Sequence, residues 1–389
     1  MKISRFLPVF MIMAFFAGCI STRPATHSVT AHFGKLRFIG VQTIPHNMPF
    51  VGAVTGGLSG IDYDASRQQY YMICDDRSEL APARFYTAKL YFSGQSFDSV
   101  RFTGMTTLLQ QNGHPYPGAK ANAALTPDPE ALRYNAKKDR FVWSSEGERI
   151  VNSKDTILTH PGVYEISRDG RYLDSFSLPA QFRMQATDNG PRRNGAFEGL
   201  GFTPGYRYTF VSLEEPRYED GPRADVGDTT ALTRLIKFDN KTMQPVAQYA
   251  YRLEPVAHPT VPANAFKVNG ISDILVLSDD RLLSIERSFS SGVKDCTIKV
   301  FLTDLRGATD ISRVNSLKTA TGVKTVTKSL LFDFASLGQY IDNIEGVTFG
   351  PVLPNGHQSL VFVADNNFSA AEESQFFVFE VVPSPAGIN

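Results

Sequence analysis

One unit of about 70 residues is written five times along this chain, and few folds accommodate such a pattern. LSGIDYD from Leu58, PEALRYN from Pro129, FEGLGFTPG from Phe197, NGISDILVLSDD from Asn269 and IEGVTFGP from Ile344 align. Their shared position holds Ser59, Glu130, Glu198, Ser272 and Glu345. A second apolar run follows each, ending in acid: YYMICDD, RFVWSSEGE, YTFVSLEE, LLSIERS and SLVFVADNN. Third and fourth runs come next, as in GVYEIS with YLDSFSLP and RLIKF with VAQYAYRL. All are short, β-branched or aromatic stretches between turn residues, and no segment keeps a helical apolar period over four turns. Two to four antiparallel strands repeated five times predict an all-β chain folded as a β-propeller. The expected count is five blades, or six if one long repeat hides two. An open β-sandwich would not demand the period. The last unit stops after FFVFEVVP without an outer strand, and KLRFIGVQTI near the N-terminus can supply it and close the ring. The connections at 111–128 and 217–231 are long and polar and are expected on the surface.

Lys+Arg and Asp+Glu both number 39, so no basic surface for a polyanion is implied and nucleic acid is excluded as a partner class. MKISRF followed by LPVFMIMAFFAG has the charge and apolar length of an export signal, too short for a comfortable membrane span. It ends in FAGC, which resembles a bacterial lipobox, although Phe16 replaces the usual Leu; ordinary secretory cleavage is the alternative. The expected organisation is a signal peptide over 1–18, lipidation at Cys19, a polar tether over 19–31 and one domain over 32–385. Ile20 after the cysteine favours the outer membrane, so the expected place is the periplasmic cell envelope, as a monomer. Cys74 and Cys296 are read as buried small hydrophobes rather than a bridge. With no CxxC, HExxH or Cys/His cluster, zinc has no support.

In a propeller the first two strands of each blade line the central channel, so acids at their mouth ends converge. Asp75, Asp76, Glu130, Glu146, Glu148, Glu198, Glu214, Glu215, Glu286, Glu345 and Asp365 are the candidates. Like charges packed together raise one another's pKa and persist only with a cation, an arginine or a shared proton. Six of them, Glu130, Glu198, Glu214, Glu286, Glu345 and Asp365, are hard oxygen ligands suited to Ca²⁺, with Asn366 and Asn367 as neutral additions. Arg77, Arg133, Arg287 and the pair Arg192–Arg193 stand near the same loops. Arg77, Arg133, Arg193 and Arg287 are candidate binders of a small anionic ester or phosphate. Equally, a closed ring of arginine–carboxylate pairs could serve structure alone. There is no GxSxG elbow and no phosphate-binding glycine loop.

GGLSGIDYD, DPEALRY with FVWSSEGE, RRNGAFEGLGFTPG with YTFVSLEEP, ILVLSDDRLLSIERSFSSG and DNIEGVTFGPVLPNGHQSLVFVADNNF occur in order. With these stretches the chain resembles the phytase-like "esterase-like activity of phytase" family of exported bacterial proteins, from about Gly56 to Phe368. The resemblance implies hydrolysis of an ester or phosphate ester. Glu130, Glu146, Glu198, Glu214, Glu286, Arg287, Glu345, Asp365 and Asn366 fall in its signature stretches. Ser59 and Ser272 stand where the other repeats carry Glu, so the acid ring is incomplete and a site on one side of the channel is expected. The expected mechanism is metal-assisted hydrolysis, with Glu130, Glu198 and Glu345 as ligands or general base and Arg287 on the substrate anion. The rival is a non-catalytic propeller that binds a ligand or envelope partner around a structural calcium.

Overall fold

The computed structural model describes residues 33–384. The signal segment, Cys19 and the tether lie outside the described residues. Five four-stranded antiparallel sheets follow one another along the chain. Blade 1 is Leu58–Asp64, Gln69–Cys74, Arg84–Phe92 and Phe97–Thr107; blade 2 is Pro129–Asn135, Arg140–Ser145, Gly162–Ser167 and Tyr172–Ser175. Blade 3 is Phe197–Phe202, Tyr208–Leu213, Leu232–Asp239 and Gln244–Arg252; blade 4 is Lys267–Val276, Arg281–Ser290, Thr297–Asp304 and Thr327–Asp333. Blade 5 takes Asn343–Val352, Gln358–Asp365 and Ser374–Pro383 from the C-terminal part of the chain. Its outer strand, Phe33–Ile44, comes from the N-terminal part. The first strands of neighbouring blades touch around a closed ring. The protein is a five-bladed β-propeller, closed by the N-terminal strand.

There is no single core. Five apolar clusters fill the five gaps between adjacent blades. This explains why the second strands are apolar without alternation, since both faces of each sheet are covered. In blade 1, Tyr70, Met72 and Cys74 pack toward blade 5 while Tyr71 and Ile73 pack toward blade 2. In blade 5, Leu360, Phe362 and Ala364 face blade 4 while Val361 and Val363 face blade 1.

The repeated position in the first strand has a geometric cause. All five first strands carry a bulge at that point: between Leu58 and Gly60, Pro129 and Leu132, Phe197 and Leu200, Ile271 and Asp273, and Ile344 and Gly346. A bulge inserts an unpaired residue and re-aims its side chain. Ser59, Glu130, Glu198, Ser272 and Glu345 are these residues. The glycine that follows in three of the motifs is a packing requirement. A Cβ on Gly199 would lie 2.6 Å from the Ile274 nitrogen, and one on Gly60 would lie 2.9 Å from the Glu130 carbonyl oxygen. The inner strands approach too closely for a side chain there.

Below the bulges the channel is plugged. Arg133, 2% exposed, donates from Nε to the Leu200 carbonyl and from Nη1 to the Ile61 carbonyl. Its Nη2 binds both oxygens of Asp273 at 2.9 and 2.7 Å and the Ile274 carbonyl at 3.1 Å. Asp273 in turn accepts the Val347 amide at 2.8 Å. One buried ion pair therefore touches all five blades. The mouth above it is a cup, closed at the bottom.

The segment 217–231 is less superficial than its polarity suggests. Arg217 and Arg234 clamp Asp220, whose Oδ2 accepts both Nε groups at 2.8 and 2.7 Å; all three are buried. Burial opposes ionisation of Asp220, but its hydrogen bonds to Arg234 and Arg217 outweigh it and hold the pKa below the usual carboxylate range. A depressed folded-state pKa stabilises the fold above the unfolded value of about 3.9, and the contribution disappears as pH falls through the folded value. Urea titrations at several pH values should therefore find wild type well above Asp220→Asn at pH 7. That gap should shrink as pH falls below about 3.9 and through the folded value; a gap that does not change with pH would contradict the assignment.

Candidate functional site

A cavity of ≈ 890 Å³ opens over the plug, at the ends where the bulges lie. Eleven of its lining residues are acids and three are basic; none is histidine or serine. The strand register shows how the acids reach it. In each blade the residue after the pair below the bulge stands at the end of the second strand. These are Asp75, Glu146, Glu214, Arg287 and Asp365. Bulge residues and second-strand ends thus form two concentric rings: Ser59, Glu130, Glu198, Ser272 and Glu345 inside, with Asp, Glu, Glu, Arg and Asp beside them.

Three carboxylates from blades 2 and 3, those of Glu130, Glu146 and Glu198, offer oxygens all within 4.8 Å of one another. Glu130 belongs to a second such group with Asp75 and Asp128. These groups could hold a metal ion. Ser59 donates to Glu130 at 2.8 Å and the Ala196 amide donates to Glu146. Glu198, 6% exposed and lining the cavity, has no side-chain donor among the described residues. Nearby, Asn343 Oδ1 and Asp365 Oδ2 are buried without a partner among the described residues. The donor set is all oxygen and mostly anionic, the chemistry of a hard cation.

Burial raises every member of the group. Desolvation, then Glu198, Asp75, Asp128 and Glu146, push Glu130 well up. Desolvation, then Glu146, Glu214 and Glu345, do the same for Glu198. Glu146 and Asp75 are raised by desolvation and then Asp128. Desolvation carries Asp128 to about 6, against the pull of Arg77, and Glu345 to about 7, against the pull of Arg287.

The arginines divide into two kinds. Arg287 lines the cavity and donates from Nη2 to Glu214 at 2.8 Å and to Glu345 at 3.5 Å. Arg77 also lines it, lying 2.8 Å from Glu148 and 3.5 Å from Asp128. Arg193 is outside the lining and half exposed, forked onto Glu148 at 2.7 and 3.1 Å. Arg133 is the axial plug and is not available to a ligand in the cup, because every direction of its fork is taken by protein. Arg192 stacks on Tyr218, 4.2 Å from the ring centre, and bonds two loop carbonyls.

Among the predicted metal ligands, Glu130, Glu198, Glu214 and Glu345 line the cup, and Asp365 is buried next to Glu345 and Asp75. Glu286 does not reach it. It pairs across the sheet with Ile271, so it is equivalent to Cys74, Ser145, Leu213 and Ala364, and its side chain turns to the other face. There it accepts from Tyr251, Asn269 and the Glu254 amide, each at 2.8 Å, and from Lys328. Its neighbour Arg287 fills the ring position. Asp76 is a loop cap, accepting three backbone amides and Arg84. Glu215 is buried 3.0 Å from Arg223. Asp128, one residue before Pro129, was not singled out by the repeat, because its contribution depends on the chain turning into the blade. Cys74 and Cys296 are unpaired.

No curated relative matches the chain. Among solved structures, the exo-β-1,3-galactanase of Phanerochaete chrysosporium is 10% identical with a TM-score of 0.43, over 90% of this chain and 65% of that one. The β-xylosidase RS223 is 10% identical with a TM-score of 0.42, over 91% and 97%. The soluble aldose sugar dehydrogenase of Escherichia coli is 11% identical with a TM-score of 0.37, over 89% and 99%. At these values no activity carries over. A family match does reach across the blades and the cup: residues 54–368 fit the phytase-like model described as "esterase-like activity of phytase", and the chain belongs to that family.

Proposed function

We propose that the protein is an ester hydrolase whose acidic cup holds Ca²⁺, acting on a phosphate or carboxylic ester. We place it in the periplasm as a monomer, anchored through Cys19, with the outer membrane as its site. The observation that carries the reading is the close group of Glu130, Glu146 and Glu198, with Glu198 buried and left without a donor. Three carboxylates so near one another cannot all ionise without a compensating charge. A bound divalent cation would polarise an ester oxygen and acidify neighbouring water. Glu130, Glu146 and Glu198 are the holding groups, with Glu345, Glu214 and Asp365 beside them, and Arg287 faces the developing negative charge. Neither histidine nor serine lines the cavity, and carboxylates are its most numerous titratable groups, so the proton is assigned to a carboxylate. Glu198 takes it from water as the water oxygen bonds to phosphorus or to the carbonyl carbon. The bond to the alkoxy oxygen then breaks, and the proton returns to that oxygen, releasing acid and alcohol. Membership of the family supports this reading.

The experiment is a chromogenic assay of purified protein on 4-nitrophenyl phosphate and 4-nitrophenyl acetate. Turnover of at least one is expected with Ca²⁺ and its loss with chelator. Absence of turnover on both, with calcium still bound, would leave a ligand-binding propeller instead.

A further inference from the structure

Blade 4 differs from its neighbours at the cup. Ser272 occupies its bulge, and Arg287 stands where the other blades carry Asp75, Glu146, Glu214 and Asp365. Its other contributions to the lining are Phe266, Val268, Phe289, Lys294 and Cys296, and none is an acid. The Phe266 and Phe289 rings lie 6.1 Å apart, inclined at 38°, and form a continuous apolar face. Phe266 is 57% exposed, the only exposed phenylalanine among the described residues, while Val268 is buried. A third ring, Phe368, is seated against Gly57, where a Cβ would lie 2.6 Å from it, and its amide is held by Asn366 at 3.2 Å. The cup is therefore two-sided. Acids come from blades 1, 2, 3 and 5, an apolar wall comes from blade 4, and one guanidinium sits at the seam. Arg287 uses Nη2 on Glu214 and Glu345, and its Nη1 makes no protein hydrogen bond among the described residues. A donor is left there for a ligand oxygen.

We infer that the substrate is a neutral carboxylic ester with one bulky apolar group, its carbonyl oxygen at Arg287 and that group against Phe266 and Phe289. The inference rests on the hydrolase reading and narrows it. Eleven acids against three basic side chains already claim the compensating charge, a bound cation's included, so a multiply charged anion must compete for it, whereas an uncharged ester meets no such barrier. Shielding a ring from water on the wall supplies the affinity that charge does not. A polyphosphorylated polyol, suggested by the family's description, is the poorest fit to this surface.

The test pairs kinetics with binding, using Phe266→Ala, whose exposed position leaves the fold intact, and Phe289→Ala. With 1-naphthyl acetate, Phe266→Ala should raise KM about tenfold, while KM for methyl acetate stays within about twofold. The non-hydrolysable ketone 1-acetonaphthone, titrated by fluorescence, should lose affinity by about the same factor in either variant. Inositol hexakisphosphate should not compete with it. If the ketone binds and the variants weaken it while no ester turns over, the hydrolase reading fails and the wall stands. Turnover with KM unchanged by both variants, or no ketone binding, overturns the wall. Competition by the hexakisphosphate overturns the neutral substrate.

Discussion

Asp273→Ala is expected to cost about 3–5 kcal/mol of folding stability, because it leaves the Arg133 guanidinium buried without a counter-charge. The Val347 amide would lose its acceptor in the same step. Against a typical total of about 5–15 kcal/mol, the loss approaches unfolding. Asp273→Asn keeps a carbonyl acceptor and should cost less. Arg133→Met, which removes the charge but frees the Leu200, Ile61 and Ile274 carbonyls, should also be destabilising. Denaturant midpoints measured at pH 7.5 decide the matter. A loss below about 1 kcal/mol for Asp273→Ala would mean that the axial pair does not tie the blades together.

Glu198→Gln is expected to have opposite effects on stability with and without calcium. Its folded-state pKa is raised, first by desolvation and then by Glu146, Glu214 and Glu345. A raised carboxylate pKa favours the fold below the unfolded value of about 4.3, and that contribution is lost as pH climbs toward the folded value. Chelated wild type should therefore weaken as pH rises above about 4.3 toward the folded value. Glutamine imitates the protonated acid, so chelated Glu198→Gln should be more stable than wild type at pH 8 and equal to it near pH 4. With Ca²⁺ at a hundred times its dissociation constant, wild type should gain about 2.7 kcal/mol at pH 8. The variant should gain little, and turnover should fall by about 10²–10⁴. Thermal melts at both pH values, with and without chelator, read all of this. A full calcium response in the variant would remove Glu198 from the cation site.

The propeller was legible because its cause is local. Each blade must bury both faces and turn at fixed intervals, so the period, the doubly apolar second strands and the missing outer strand of the last unit all show in the residues. Glu130, Glu198 and Glu345 were legible for the same reason, as they recur at one register. Glu286 was not, although the clue was present. Ile73-Cys74-Asp75, Val363-Ala364-Asp365 and Ile285-Glu286-Arg287 align without a gap and put Arg287, not Glu286, in the ring. Aligning by charge slipped the strand one residue, and one residue is one face. Arg133 misled in another way: only the distance across the axis reveals that its partner is Asp273. The Phe266 and Phe289 wall carries no motif at all, and it emerges only when blade 4 is set against the other four.

The strand that closes the ring has a consequence in time. Ile44 pairs with Ser374, so this contact closes a loop of about 330 residues, roughly 4 kcal/mol more costly in chain entropy than a four-residue hairpin. Until it forms, Ser374–Pro383 is an exposed strand edge, open to pairing with another chain. The segment made early must wait for the segment made late, and folding of this ring is a race between its own first strand and a neighbour's.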